Sequence, residues 1–216
     1  MNDIQLNILH QAFTQFKQFG FKNVTMDDLA RNIGISKKTI YENFKDKEEL
    51  VFEVIKNMTN TNQRKIDEAS KKSINAIEQL MKIIAIMAEM IQGMNVVCFM
   101  DLQRYYPKAY EYLEKHRHDC MKRDVTQNLL QGIEEGLFRK EIDVEIISIF
   151  RMESAMLIFK SNLFNNIKHD ILKINNELFA HYMYGIATIK GHKLIDKYYN
   201  KEAEKCIFPQ LFKTKK

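Results

Sequence analysis

The stretch Thr25–Leu50, TMDDLARNIGISKKTIYENFKDKEEL, constrains the fold more than any other part of the chain. It contains two helix starts separated by a glycine turn, and Leu29, Ala30, Ile33, Ile35, Ile40 and Phe44 are spaced to close a small core. Thr25 suits an N-cap because its hydroxyl can accept from a backbone N–H near Asp28, while Asp27 and Asp28 set negative charge against the positive helix start. That helix stops at Gly34, the residue type that most readily adopts the left-handed conformation after a helix end. Ser36 caps a second helix carrying Lys37, Lys38, Thr39, Tyr41 and Asn43 on one side and Ile40 and Phe44 on the other. Asp46 caps a third at Lys47, which continues through Glu48, Glu49, Leu50, Val51, Val54 and Ile55. The pattern is a helix-turn-helix whose second helix has a buried side and a polar, basic side.

Upstream, Ile4, Ile8, Leu9, Ala12, Phe13, Phe16 and Phe19 recur at helical spacing, and Gly20 ends that helix. Only two prolines and seven glycines interrupt 216 residues, so long helices are rarely broken and the expected fold class is all-α. The helix after Asp46 is expected to reach about Thr59, and the polar run Asn57–Ser73 marks a hinge region or a polar helix leading from head to body. From Ile74 the chain turns rich in Ile and Met, a helix apolar on more than one side and therefore central. A shorter segment follows from Val96 to Leu102, and Pro107 restarts a helix that runs through Ile133 and closes at Gly136. Asp143 caps the next, from about Val144 to Phe164, and a last one is expected from about Asn175 to Lys190. The expected domains are residues 1–47, the helix-turn-helix head, and residues 48–216, a larger helical body.

Composition narrows the function less than the motif does. A net charge of +5 permits a nucleic-acid partner without demanding one, and from Met1 to Lys47 there are seven Lys/Arg against five Asp/Glu. The case rests on which face is basic. Cys98, Cys120 and Cys206 are odd in number and have no CxxC pair, so no disulfide framework or zinc knuckle is suggested, which fits a reducing cytoplasm. The N-terminus lacks an apolar signal region, and the apolar run Ile83–Ile91 is broken by Glu89 and too short for a bilayer. No membrane association is expected, and disorder is expected only at the Lys213–Lys216 tail.

Several spaced positions agree with one family. Phe13, Phe19-Gly20-Phe21, Val24-Thr25, Ile33-Gly34-Ile35-Ser36, Tyr41-Glu42-Asn43-Phe44 and Lys47-Glu48-Glu49-Leu50 together resemble the DNA-binding domain of the tetracycline-repressor (TetR) family. Gly136–Asp143 likewise resembles the turn between that family's body helices. The resemblance implies a homodimer with N-terminal reading heads and a helical C-terminal domain, the last two long helices packing against their twins as a four-helix bundle. It also implies a ligand in the C-terminal domain that changes the spacing of the heads. Glu42 and Asn43 depart from the aromatic, basic or histidine residues usual there, and Glu42 is placed to pair with Lys38 at i,i+4.

In a helix-turn-helix frame the first residues of the second helix reach base edges while neighbours hold phosphates. Lys37, Lys38 and Thr39 are assigned to bases or nearby phosphates. By similarity to the family, Tyr41, Lys47 and Thr25 hold the DNA backbone, and Ser36 both caps the helix and touches phosphate. Met87, Met90, Phe99, Tyr105, Met121, Phe150, Met156 and Phe159 are candidates to line an apolar pocket, with Arg104, Arg151 or Glu153 as polar anchor. The expected effector is a small molecule, apolar or cationic. His116 and Cys120 share a helical face but His118 points elsewhere, too few ligands for zinc, so no metal or cofactor is expected. No GxSxG, phosphate-cradling glycine loop or HExxH is present, and no enzymatic activity is expected. The expected function is thus a ligand-responsive regulator, a repressor binding a palindromic operator; the alternative is a helical interaction or ligand-sequestering protein without specific DNA binding.

Overall fold

Side-chain caps start most of the helices in the computed structural model, which describes residues 1–95, 97–159, 163–164 and 170–205, with 200–205 as backbone only. Asn2 opens α1 (Asp3–Phe19) with a capping box completed by Gln5, and Thr25 opens α2 (Met26–Ile33) with one completed by Asp28. Gly34 at φ +78° ends α2 in the left-handed conformation, and Ser36 caps α3 (Lys37–Asn43). Asp46 Oδ1 accepts from Glu49 N at 2.8 Å to start α4 (Lys47–Lys71). The polar run after Thr59 stays helical, since nothing from 47 to 71 is glycine or proline.

The described helices continue as α5 (Ala76–Ile91), α6 (Val97–Tyr105), α7 (Pro107–His116), α8 (Lys122–Glu134), α9 (Val144–Met156), α10 (Ile171–Ile186) and α11 (Ile189–Lys205). A single π turn, Arg117–Met121, joins α7 to α8 within the stretch the sequence reads as one helix. Val96 and the 213–216 tail lie outside the described residues.

Two boundaries differ from the sequence reading. The helix expected over 144–164 has α-helical form only to Met156 and tightens into a 3-10 turn at Leu157–Phe159. The helix expected over 175–190 is two helices. Asp170 starts α10 early by accepting from Lys173 N at 2.8 Å. Ala187 then goes extended and bridges Phe138, and Thr188 N donates to the Leu137 carbonyl at 2.9 Å. Thr188 caps α11 by accepting from Gly191 N at 3.1 Å.

The chain divides into two compact units, residues 1–63 with 93–116, and residues 64–92 with 117–216. The first therefore contains α1–α3, most of α4, and α6 and α7. Its core is Ile8, Leu9, Phe16, Leu29, Ile40, Leu50 and Val51 with Cys98, Leu102 and Ala109 from α6 and α7. The second is built around Ile77, Leu129, Phe138, Phe179, Met183 and Ile195 from α5, α8, α10, α11 and the turn after α8. Gly132 on α8 is required there, because a Cβ would stand 2.0 Å from the Phe138 ring. Among the described residues no helix is long and apolar enough to cross a membrane.

Candidate nucleic-acid interface

Helix α3 is short, and its placement depends on what lies beneath it. Ile40 is fully buried and Phe44 nearly so, which fixes the opposite side outward. Ser36 Oγ accepts from Thr39 N at 3.0 Å and lies 2.8 Å from Thr39 Oγ1, putting two hydroxyls at the helix start. Lys37 and Lys38 are exposed, Thr39 is half-buried, and Tyr41 is 45% exposed.

The two lysines are matched by acids. Lys37 Nζ lies 2.8 Å from Asp27 Oδ1, and this hydrogen-bonded pairing raises the ammonium's pKa. Lys38 Nζ lies 3.8 Å from Glu42 Oε1, the i,i+4 pair anticipated from the sequence. Exposed pairs of this kind are weak, so a phosphate can displace either carboxylate. The Lys37 ammonium also stands 6.0 Å from the Tyr41 ring centroid.

Thr25 sits at the exposed start of α2, its hydroxyl donating to Asp28 Oδ2 at 2.6 Å. Lys47, at the start of α4, is half-buried: its ammonium donates to the Lys22 carbonyl at 3.2 Å and lies 5.8 Å from the Tyr106 ring centroid. Burial lowers its pKa, against the opposing pull of Asp101 and Asp28. Thr25, Ser36, Lys37, Lys38, Thr39, Tyr41 and Lys47 thus all belong to the first unit, on the starts of α2 and α4 and along α3.

Helix α6 adds a contribution the sequence reading missed. Asp101, buried, accepts from Lys22 N at 2.9 Å, and Cys98 Sγ donates to the Phe16 carbonyl at 3.0 Å. Asn95 N donates to the Lys17 carbonyl at 2.9 Å. These bonds hold the end of α1 and the turn that leads to α2. Gly20 (φ +86°) is needed at that turn twice over, because a Cβ would stand 2.8 Å from Asp101 Oδ2. Burial, with Asp101 nearby, pushes the Cys98 thiol up to about 11. The available signal was an acidic residue on the apolar segment 97–102, one helical turn after Cys98.

The eight pocket candidates fall in different places. Phe99 and Tyr105 belong to the first unit, where Phe99 packs edge-on to Tyr110 at 5.6 Å and Tyr105 is exposed beneath the Lys22 and Arg104 cations. Met87, Met90, Met121, Met156 and Phe159 are half-buried in the second unit, and Phe150 is 51% exposed there. The π turn changes the helical phase between His116 and Cys120, and no three His, Cys, Asp or Glu side chains gather as a metal site among the described residues.

A profile of bacterial regulatory proteins of the tetR family matches residues 8–54, which span α1 to the first part of α4. The transcriptional repressor KstR2 of Mycobacterium tuberculosis strain H37Rv is 27% identical over 154 residues, covering 69% of this chain and 76% of that protein. The HTH-type transcriptional regulator YhgD of Bacillus subtilis strain 168 is 37% identical over 133 residues, 60% of this chain and 67% of the relative. The solved structure of M. tuberculosis KstR2 superposes with a TM-score of 0.61 at 21% identity, over 87% of this chain and 97% of that one. FadR of B. subtilis, solved with stearoyl-CoA, gives 0.63 at 19% identity, over 84% and 98%. With its head matched from α1 into α4 and YhgD covered over two thirds of its length, this chain belongs to the TetR family of bacterial transcription regulators.

Proposed function

We propose that the chain is a repressor that binds a palindromic operator as a homodimer and leaves it when a small molecule binds the body. The observation that carries this reading is the outward side of α3: Lys37, Lys38 and Tyr41 exposed, over a fully buried Ile40. Such a helix suits the major groove, with Lys37, Lys38 and Thr39 at base edges or phosphates and Thr25, Ser36, Tyr41 and Lys47 on the backbone. Residues 1–47 are the reading head and 48–216 the effector-binding and dimerisation part. The paired heads occupy successive major grooves about 34 Å apart.

Pairing is supported by apolar side chains left uncovered on α9, Ile146 (64% exposed), Ile149 and Phe150, and by exposed Leu130 on α8. The place of work is the cytoplasm, where the DNA is, and the role is regulatory, not catalytic. FadR, related in fold, was solved with a bound small molecule, which supports the ligand-responsive reading. By sequence α6 belongs to the effector part, yet it packs with the head through Cys98 and Asp101, and Asn95 just before it bonds the head as well. It is the element through which an effector changes the head.

The test is a salt titration of binding to genomic fragments selected by the protein itself, followed by fluorescence anisotropy. Affinity falls steeply with salt, and Lys38→Ala, removing one phosphate contact, lowers the log–log slope by about one. A flat salt response, or selected fragments sharing no inverted repeat, overturns the reading in favour of a protein-interaction module.

A further inference from the structure

Arg151 on α9 is 6% exposed, and its guanidinium lies 5.0 Å from the Phe179 ring centroid and 5.4 Å from that of Tyr182, both on α10. No carboxylate pairs with it among the described residues; the guanidinium lies against the two rings, and burial lowers its pKa. A buried charge without a counter-ion is among the least favourable groups a core can hold, and a core residue serving only to fill space would be apolar.

Helix α10 carries unmet donors as well. Tyr182 Oη and Asn175 Nδ2 are both buried and, among the described residues, both without a hydrogen-bond partner. Asn175, Phe179 and Tyr182 follow at i, i+4 and i+7, so they lie along one face of α10, the face whose rings meet Arg151. Arginine and the asparagine amide nitrogen are donors only, and the tyrosine hydroxyl has its proton to give. Among the described residues the guanidinium has no carboxylate and the Tyr182 hydroxyl beside it no acceptor, with the Asn175 amide a further unmet donor on the same helix face; an anion satisfies the first two together.

We infer that Arg151, with Tyr182 and Asn175, is the anchor for the anionic group of the effector, a carboxylate or phosphoryl group borne on an apolar body. This rests on the ligand-responsive reading above and turns the expected effector class from apolar or cationic to anionic with an apolar body, because a buried guanidinium repels a cation. Phe179 and the Tyr182 ring supply the apolar flank. The planar fork of the guanidinium suits a two-oxygen acceptor, which lysine in its place would not match.

The experiment is a thermal-shift series on the full chain with octanoate, octyl phosphate, octanol and octylamine at equal concentrations. Octanoate or octyl phosphate raises the wild-type Tm by about 3 °C or more once well above its Kd, and the neutral and cationic chains do not. A response to octanoate alone assigns a carboxylate, and one to octyl phosphate alone a phosphoryl group. Arg151→Met, close in length and apolar, loses the response while its own unliganded Tm equals or exceeds wild type, since an unpaired buried charge has been removed. Arg151→Lys keeps the charge and responds more weakly. The inference is overturned if octanol or octylamine protects as well as the anions, if no anion protects, or if Arg151→Met still responds. A lower unliganded Tm for Arg151→Met with the anion response intact makes Arg151 structural. DNA binding by the wild type, measured separately, distinguishes the two readings: operator binding without an anion response fails this inference alone, and an anion response without operator binding fails the regulator reading alone.

Discussion

Asp101→Ala tests how far the head depends on α6. The carboxylate is 6% exposed and accepts from Lys22 N at 2.9 Å, a hydrogen bond to a charged acceptor. Such bonds are worth about 1.5–3 kcal/mol. Lys22 is exposed, so water can reach its freed N–H, which favours the lower end of that range. Against this, the half-buried Lys47 ammonium loses a carboxylate that offsets its burial. The two effects bring the expected loss to about 2 kcal/mol.

For a chain of this size that corresponds to a fall in Tm of about 4–8 °C, followed by circular dichroism. Amide exchange supplies the local measurement. If the Lys22 N–H exchanges through release of this turn, its rate rises about 30-fold, the factor equivalent to 2 kcal/mol. Asp101→Asn retains an acceptor oxygen of the same shape and loses only the charge, so about half the effect is expected. A Tm within 1 °C of wild type for Asp101→Ala, with Lys22 exchange unchanged, would refute the claim that α6 holds the head.

Other perturbations separate packing from capping. Gly132→Ala places a Cβ 2.0 Å from the ring of Phe138, which is 2% exposed and cannot swing aside. Overpacking costs about 1–3 kcal/mol, more than the roughly 1 kcal/mol gained in helix propensity, so Tm falls, whereas Gly185→Ala, with nothing within 4 Å of its Cβ, raises it. Equal shifts at the two sites would show that propensity, not the ring, decides. Asp28 is held below its ordinary pKa of 3.8 first by the Thr25 hydroxyl and then by the Thr25 backbone N–H. A depressed carboxylate contributes stability above its ordinary pKa and loses it as pH falls through the folded value, so the helix cap weakens below about pH 4. Thr25→Ala lowers Tm at pH 7 and loses less than wild type between pH 5 and pH 3; parallel losses would detach the cap from the acid response.

The head was legible because its signals are local. Thr25, Gly34, Ser36 and Asp46 act on backbone groups within three or four residues, and each begins or ends the helix assigned to it. The break at Ala187–Thr188 was not legible, because what makes Ala187 extended is the strand-like bridge to Phe138, a residue 49 positions earlier. Without that bridge the periodicity runs on, and one helix reads to about Lys190, where α11 has already begun at Ile189. The Asp101–Lys22 bond spans 79 positions and left only an acid in an apolar segment as its trace. Arg151 was visible as one of three polar anchors; its choice over Arg104 and Glu153 came from burial, since Arg104 is exposed and Glu153 lies 2.7 Å from Arg117.

The size of the Asp101 effect bears on the proposed release from DNA. To carry a two-state regulator from 99% bound-competent to 1%, an effector must favour one state by about 5.5 kcal/mol. One Asp101–Lys22 bond supplies about 2 kcal/mol, and the two subunits of the proposed dimer about 4. Breaking that bond alone therefore falls short. If α6 moves together with the residues leading into it, the Asn95–Lys17 and Cys98–Phe16 bonds go too, and the shortfall closes. It follows that Asp101→Ala weakens effector control without abolishing it: the variant still binds operator and still responds, over a narrower range of affinity. Complete loss of the response would place the whole coupling in one carboxylate, which the magnitudes above do not allow.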